Sequence, residues 1–382
     1  MDFGLFTAIL LMVGFGLVLV YSSSFAIGLE TEKFKYSSEY FFSRQMIRAL
    51  LALAGFMVFV NVDYHIWGRL SNLGYIMAVA MLIVVLLLPG DEAIKGAKRW
   101  LSFGPVTFQV SDIARMMLIL FIARHCDDAG NEIRDFRFFL KMVGMIGIIG
   151  VLILAEPGFS TASIVILICM TMLFMAGVRV SHLGTLALGI IPVLAVAAVK
   201  MQHSHRRLTE FFGRHGGLEN MGYQTYQSVI GLGNGGLFGV GIGKGEQKFF
   251  YLPEPHTDFV LSILGEEIGF IGLMIMFGLY AFIIYRGLKI ASEAPDRQGQ
   301  LMAFGFTFAI AVNMLLHTGV AIGLLPTTGI ALPFISYGGM NLIFMVCSMG
   351  IVLNISSQSR YGKAPAVNRV RTDVRGFARS AR

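Results

Sequence analysis

The sequence predicts an all-α polytopic membrane protein with about ten transmembrane helices and a long outward-facing loop between spans seven and eight. Three observations carry this. Of the 382 residues, 55% are hydrophobic and only 14% charged, with a mean hydropathy of +0.71, whereas soluble domains carry about 25% charge. Ten apolar runs reach or approach the roughly 20 residues a membrane span needs. The runs are continuously apolar, so they cannot be the alternating strands of a barrel.

The runs cover about 4–27, 46–62, 68–89, 109–125, 138–155, 160–177, 183–199, 259–285, 301–325 and 336–356. The first is too long for a secretory signal core and lacks a basic leader, so it reads as a retained helix. Cys126, Cys169 and Cys347 show no paired spacing and imply neither a disulfide framework nor a metal site. An even number of spans puts both termini on one side. Residues 360–382 hold seven Lys/Arg against one Asp, which accounts for +6 of the net +7. Such a tail is expected in the cytoplasm. Two loops then assigned outside are also basic: 90–108, with Lys95, Lys98 and Arg99, and 200–258, with Arg206, Arg207, Lys244 and Lys248 among others. Positive charge outside opposes the usual bias, so these cations are expected to hold an anionic ligand.

The stretch from Gly222 to Phe270 is the most unusual. Residues 222–243 carry no charge and many glycines. They are expected to be irregular or re-entrant rather than an eleventh span, since such backbone is tolerated only against protein or water. GLGNGG at 231–236 lacks the βαβ context of a dinucleotide site. His203, His205 and His215 fit no standard metal spacing and read as solvated.

Asp258 stands at the start of the eighth run. It is either a helix cap or a carboxylate at a cavity mouth, poised to accept a proton. Glu266 and Glu267 lie deeper in the same run and should face polar groups or cations in the bundle. The Lys95, Lys98, Arg99 cluster before Trp100 is either ordinary interfacial belt or a phosphate clamp with a stacking platform. Asp112 and Arg115 are one turn apart and able to pair. Glu156 precedes a Pro-Gly break at the membrane edge, and Pro326, Gly329, Pro333 and Ser336-Tyr337-Gly338-Gly339 bend the chain between the last two runs. Four of the five outward connections are rich in Gly, Pro and charge, which places a site on the outer face.

Taken together, GAKRWLSFGP (96–105), QVSDIAR (109–115), EPGFSTA (156–162), the run from Tyr223 to Gly272 and GLLPTTGIALPFISYGG (323–339) resemble the SEDS family of shape, elongation, division and sporulation proteins. The motifs occur in the family's order across nearly the whole chain. The resemblance implies a ten-span domain over 1–359, a periplasmic loop at 200–258, a basic cytoplasmic tail, and residence in the bacterial inner membrane with both termini cytoplasmic. It implies a glycosyltransferase that polymerises lipid II, partnered by a class B penicillin-binding protein and other divisome or elongasome proteins in contact with membrane lipid, and not by nucleic acid. The family's essential aspartate falls on Asp258, and its Trp on Trp100 beside Arg99. Two departures stand out: Val110-Ser111-Asp112 with Arg115 replaces Pro-Ser-Glu with Lys, and Gly158 stands where the family has Asp.

The expected chemistry is one inverting displacement at a sugar carbon. Asp258 is the base; Lys98, Arg99, Arg115, Lys244 and Lys248 are candidate partners of the departing pyrophosphate, with Trp100, Asp112 and Glu156 also at the substrate. Glu266, Glu267, His256 and Ser336 are expected to support the site. A divalent cation (Mg²⁺ or Mn²⁺) at Asp258 is an expected helper, and no organic cofactor is expected. The alternatives are a lipid II flippase, which needs alternating access, and a non-catalytic scaffold for the transpeptidase. Tyr21-Ser-Ser-Ser and Gly265-Glu266-Glu267 favour the division-type branch.

Overall fold

The computed structural model describes residues 1–30, 39–87, 100–103, 106–212, 222–249 and 251–362. It is a helical bundle, and the one sheet among the described residues is a two-stranded hairpin. The helices are α1 (Phe3–Glu30), α2 (Tyr40–Asn61), α3 (Tyr64–Leu87), α4 (Val110–Asp128), α5 (Phe136–Ala155), α6 (Phe159–Met175), α7 (Val180–Lys200), α8 (Gln202–Phe212), α9 (Tyr223–Asn234), α10 (Val260–Ser292), α11 (Arg297–Ala321) and α12 (Asn341–Gly362). Strands β1 (Trp100–Phe103) and β2 (Val106–Gln109) precede α4.

Seven of these helices are long and apolar enough to cross a membrane: α1, α2, α3, α5, α10, α11 and α12. The other three spans read from sequence coincide with α4, α6 and α7. Helix α6 is apolar but only 17 residues long. Helix α4 carries Asp112, Arg115, Arg124 and two terminal acids, which lower its mean hydropathy. It is nonetheless the structural centre, with Leu118, Ile119, Leu120, Phe121, Ile122 and Ala123 all nearly inaccessible. Helix α4 packs on α3 and α11, and α12 lies along α2. A helix buried on all sides by other helices tolerates polar residues that a lipid-facing one does not.

Both described ends of the chain lie at one end of the bundle. The Asp2 backbone N–H donates to Ser356 Oγ (3.0 Å), and Asp2 forms an ion pair with Arg286 near the end of α10. The adjacent turn is clasped by His65, whose ring nitrogens lie 2.7 Å from both Asp63 and Asp296, and by Gln358, which donates to Asp63 (3.1 Å). The opposite end gathers the β1–β2 hairpin, α8, α9, the 235–259 loop and the 322–340 connection.

The glycine-dense stretch is part helix and part strap. Helix α9, at 12 residues, is too short to span. It is anchored by Ser228, whose hydroxyl lies 2.5 Å from that of Ser262 and donates to the Ala321 carbonyl (2.7 Å). Beyond it, the chain runs beside an interruption in α10. Gly269 has φ 66° and ψ −170°, outside any helix. That conformation frees two carbonyls and two amides inside an apolar span, and buried backbone groups must be paired. The strap pairs them. Val240 and Gly241 donate to the carbonyls of Glu266 and Glu267 (both 3.0 Å), while Phe270 and Ile271 donate to those of Gly236 and Leu237 (2.9 and 3.1 Å). A Cβ on Gly239 would stand 2.2 Å from the Glu267 carbonyl oxygen, so the approach requires glycine.

Candidate active site

Asp258 reaches the head of α10 on a tightly held strap. Asp258 and Thr257 donate their backbone N–H groups to the Glu254 carbonyl (3.2 and 3.3 Å), closing a turn in which Glu254 has φ 54°. The connection before α12 clamps that turn. Tyr337 N–H donates to the His256 carbonyl (2.8 Å), and Ser336 Oγ donates to the Thr257 carbonyl (2.8 Å) while accepting from Leu332 N–H (2.8 Å). The His256 carbonyl and Ser336 thus fix the two residues that lead into Asp258. The His256 ring packs between Phe41 and Tyr337, at 4.7 and 5.4 Å between centroids. Non-glycine residues at positive φ cluster at functional sites, and Phe334 of the clamp (φ 66°) is a second one.

Asp258 is not the cap of α10. Phe259 occupies that position, with no side-chain cap hydrogen bond. The carboxylate instead lines a cavity of about 190 Å³ with Trp100, Asp112, Arg115, Asn313 and Asn341 among its walls. The β1–β2 hairpin, pairing Trp100 with Gln109, delivers the indole to the rim. Arg115 Nη2 donates to Asp112 Oδ1 (3.2 Å) and Asn341 Oδ1 (3.3 Å), which joins α4 to α12 across the cavity. The pair expected from its one-turn spacing is therefore formed, and both side chains are about nine-tenths buried.

The other expected cations separate. Lys98 and Arg99 lie outside the described residues. Lys244 is exposed and away from the cavity wall. Lys248 is not positioned for a leaving group: it is 2% exposed, and its Nζ donates to Glu267 (2.7 Å) and Ser22 (3.2 Å). The partner of Glu267 is thus a lysine brought in by the loop. Glu266 accepts the backbone N–H groups of Glu246 (3.0 Å) and Gln247 (3.1 Å). The two acids bind the loop that leads to Asp258 and do not reach the cavity. Glu156 is buried at the end of α5, off the cavity wall, where Thr161 and Ile164 of α6 stand instead.

Two further arginines stand near the cavity: Arg48 escaped the sequence reading, and Arg207 was among its outer-loop cations. Arg48 of α2 stacks over Tyr337 at 4.8 Å, and its Nη1 is buried without a hydrogen-bond partner among the described residues. Arg207 of α8 lines a larger neighbouring cavity of about 410 Å³. Gly329 separates the two cavities: a Cβ there would lie 3.5 Å from Asp258 Oδ2 and 3.9 Å from Arg207 Nη2. Among the described residues no three His, Cys, Asp or Glu side chains converge to hold a metal ion.

A carboxylate that lines the same cavity as a buried arginine, at one end of a membrane bundle, is suited to accept a proton while an anion is stabilised nearby. The profile of a family described as "Cell cycle protein", comprising FtsW, RodA and SpoVE, matches residues 3–361. Stage V sporulation protein E of Bacillus subtilis is 35% identical over 92% of this chain and 96% of its own length. A probable peptidoglycan glycosyltransferase FtsW of a Geobacter species is also 35% identical, over 91% of this chain and 94% of its own. Among solved structures, the rod shape determining protein RodA of Thermus thermophilus superposes with a TM-score of 0.70 at 24% identity, covering 94% of this chain and 97% of that one. A chain from a structure concerning coordination of polymerization and crosslinking by a peptidoglycan synthase complex superposes at 0.75, also at 24% identity, covering 94% and 98%. These structural likenesses are of fold.

Proposed function

The chain belongs to the FtsW/RodA/SpoVE family, and on that premise we propose that it is a peptidoglycan glycosyltransferase that polymerises lipid II into glycan strands. The observation that carries the proposal is Asp258, clamped by the 332–337 connection into the same cavity as the Asp112–Arg115 pair.

In the proposed reaction the acceptor hydroxyl gives its proton to the Asp258 carboxylate. Its oxygen forms a bond to the anomeric carbon of the donor sugar as the bond from that carbon to the pyrophosphate oxygen breaks. The electron pair leaves with undecaprenyl pyrophosphate. A β product from an α donor is consistent with one in-line displacement. Arg115 supplies positive charge at the cavity wall, and Arg48 and Arg207 stand at its margins. The cavity opens at the end of the bundle opposite the chain termini, which suits a substrate whose tail stays in the bilayer.

We assign the protein to the bacterial inner membrane with both termini cytoplasmic, and to a complex with a class B penicillin-binding protein. The relatives named FtsW support the division-type branch. Septal rather than lateral-wall fluorescence of a tagged chain tests that assignment. For the activity itself, purified protein with its transpeptidase is incubated with lipid II and the glycan products are resolved. Asp258→Asn is expected to lower polymer formation by about 10²–10⁴-fold while leaving expression and melting behaviour unchanged. Full activity in this variant would remove Asp258 as the base.

A further inference from the structure

The Asp258 cavity contains a polar group that the displacement does not use. Asn313 lies in the middle of α11, is 1% exposed, and contributes to the cavity wall. Neither its Nδ2 nor its Oδ1 has a hydrogen-bond partner among the described residues. One turn further along α11, His317 Nδ1 lies 2.8 Å from the carbonyl of Ile330, and Ile330 is itself a wall of the cavity. The amide is therefore held at a set position relative to the loop that faces Asp258. Buried side-chain amides are nearly always paired, and one left unpaired on both atoms calls for an explanation. Helix packing does not supply it, because an apolar residue of the same size would fill the position without leaving a donor and an acceptor unmet.

We propose that Asn313 is a specificity residue that reads an acetamido group on the sugar of the substrate; this rests on the glycosyltransferase reading above. The chemistry of the amide selects the ligand. A carboxamide offers two N–H donors and one carbonyl acceptor. A phosphate oxygen accepts only, so it would leave Oδ1 unmet and facing like charge. That role belongs to the arginine side of the cavity, where Arg115 stands. An acetamido substituent presents an N–H and a C=O together and satisfies both Asn313 atoms in one contact. N-acetylated sugars carry that group beside the anomeric carbon, so the contact would also orient the reacting centre toward Asp258. A site built to hydrogen-bond a substrate group discriminates strongly against the analogue that lacks it.

The test compares lipid II with two analogues in which the 2-acetamido group of one or the other sugar is replaced by hydroxyl. Equilibrium binding and polymer formation are both measured on the protein in nanodiscs with its transpeptidase. Wild-type protein is expected to favour lipid II over one of the analogues by at least about tenfold. Asn313→Leu should bring that ratio to within about twofold, while melting at or above the wild-type temperature, since it removes an unpaired buried amide. Asn313→Asp, which keeps the shape but loses the donors, should lose the discrimination too, and it carries the test if the leucine variant fails to insert. Equal binding of all three lipids by wild type, or an unchanged ratio in the variants, would overturn the proposal and leave Asn313 hydrated by water. The glycosyltransferase reading fails separately, by wild type that forms no polymer, and the binding ratio still decides the role of Asn313 in that case.

Discussion

At Gly158 a side chain has nowhere to go. A Cβ there would stand 2.7 Å from the Ile153 carbonyl oxygen, the same oxygen that accepts the Gly158 N–H at 3.0 Å. The turn that begins α6 is closed so tightly that the aspartate usual in the family has no room in this backbone. Gly158→Asp should therefore destabilise the purified protein by about 1–3 kcal/mol, read as a lower melting temperature in detergent; an unchanged melt would show that the turn adapts. The contrast with Asp258 shows what was readable at this scale. Asp258 was legible because it stands among turn-forming residues just before an apolar run, where an acid is conspicuous. Arg48 and Asn313 were not, because one polar residue in an apolar run reads the same whether it faces lipid, another helix or a cavity. Only packing decides. Lys248 misled for the same reason: a loop lysine reads as solvated until its partner across the fold is known.

Among elements, α10 and the 235–248 strap act as one unit. The break at Gly269 was invisible in sequence, since the apolar run continues through it without change of character. Its consequence is that Glu266 and Glu267 project toward the loop, where the first accepts backbone N–H groups and the second pairs with Lys248. Removing one partner of a buried ion pair leaves an unmatched charge and costs about 3–5 kcal/mol, whereas removing both is far milder. Lys248→Met is thus expected to destabilise the protein by that amount. The double variant Lys248→Met, Glu267→Leu should recover most of the loss in the same melting experiment. Equal destabilisation in the single and double variants would show that the pair is not the source. Because the strap leads directly into the turn bearing Asp258, Lys248→Met should also lower polymer formation even where the protein remains folded.

For the whole molecule, span positions were legible because apolar length is a physical requirement of the bilayer. Sidedness was not, since Lys/Arg occur at both ends of the bundle and the usual charge bias is weak. The structure gives two of the opposing cations local work. Lys248 is buried against Glu267, and Arg206 pairs with Glu210. Such cations need not count as topology signals, and the basic tail at 360–382 then weighs more heavily. This leads to a prediction about orientation. The three native cysteines are all buried, so the unmodified chain should react little with a thiol reagent. Lys244 and Asn131 are exposed at opposite ends of the bundle, one in the strap and the other between α4 and α5. In intact cells stripped of their outer layers, a membrane-impermeant maleimide should label Lys244→Cys directly and Asn131→Cys only after lysis. The reverse pattern would invert the molecule, place Asp258 on the cytoplasmic face, and remove the outward-facing polymerase from consideration.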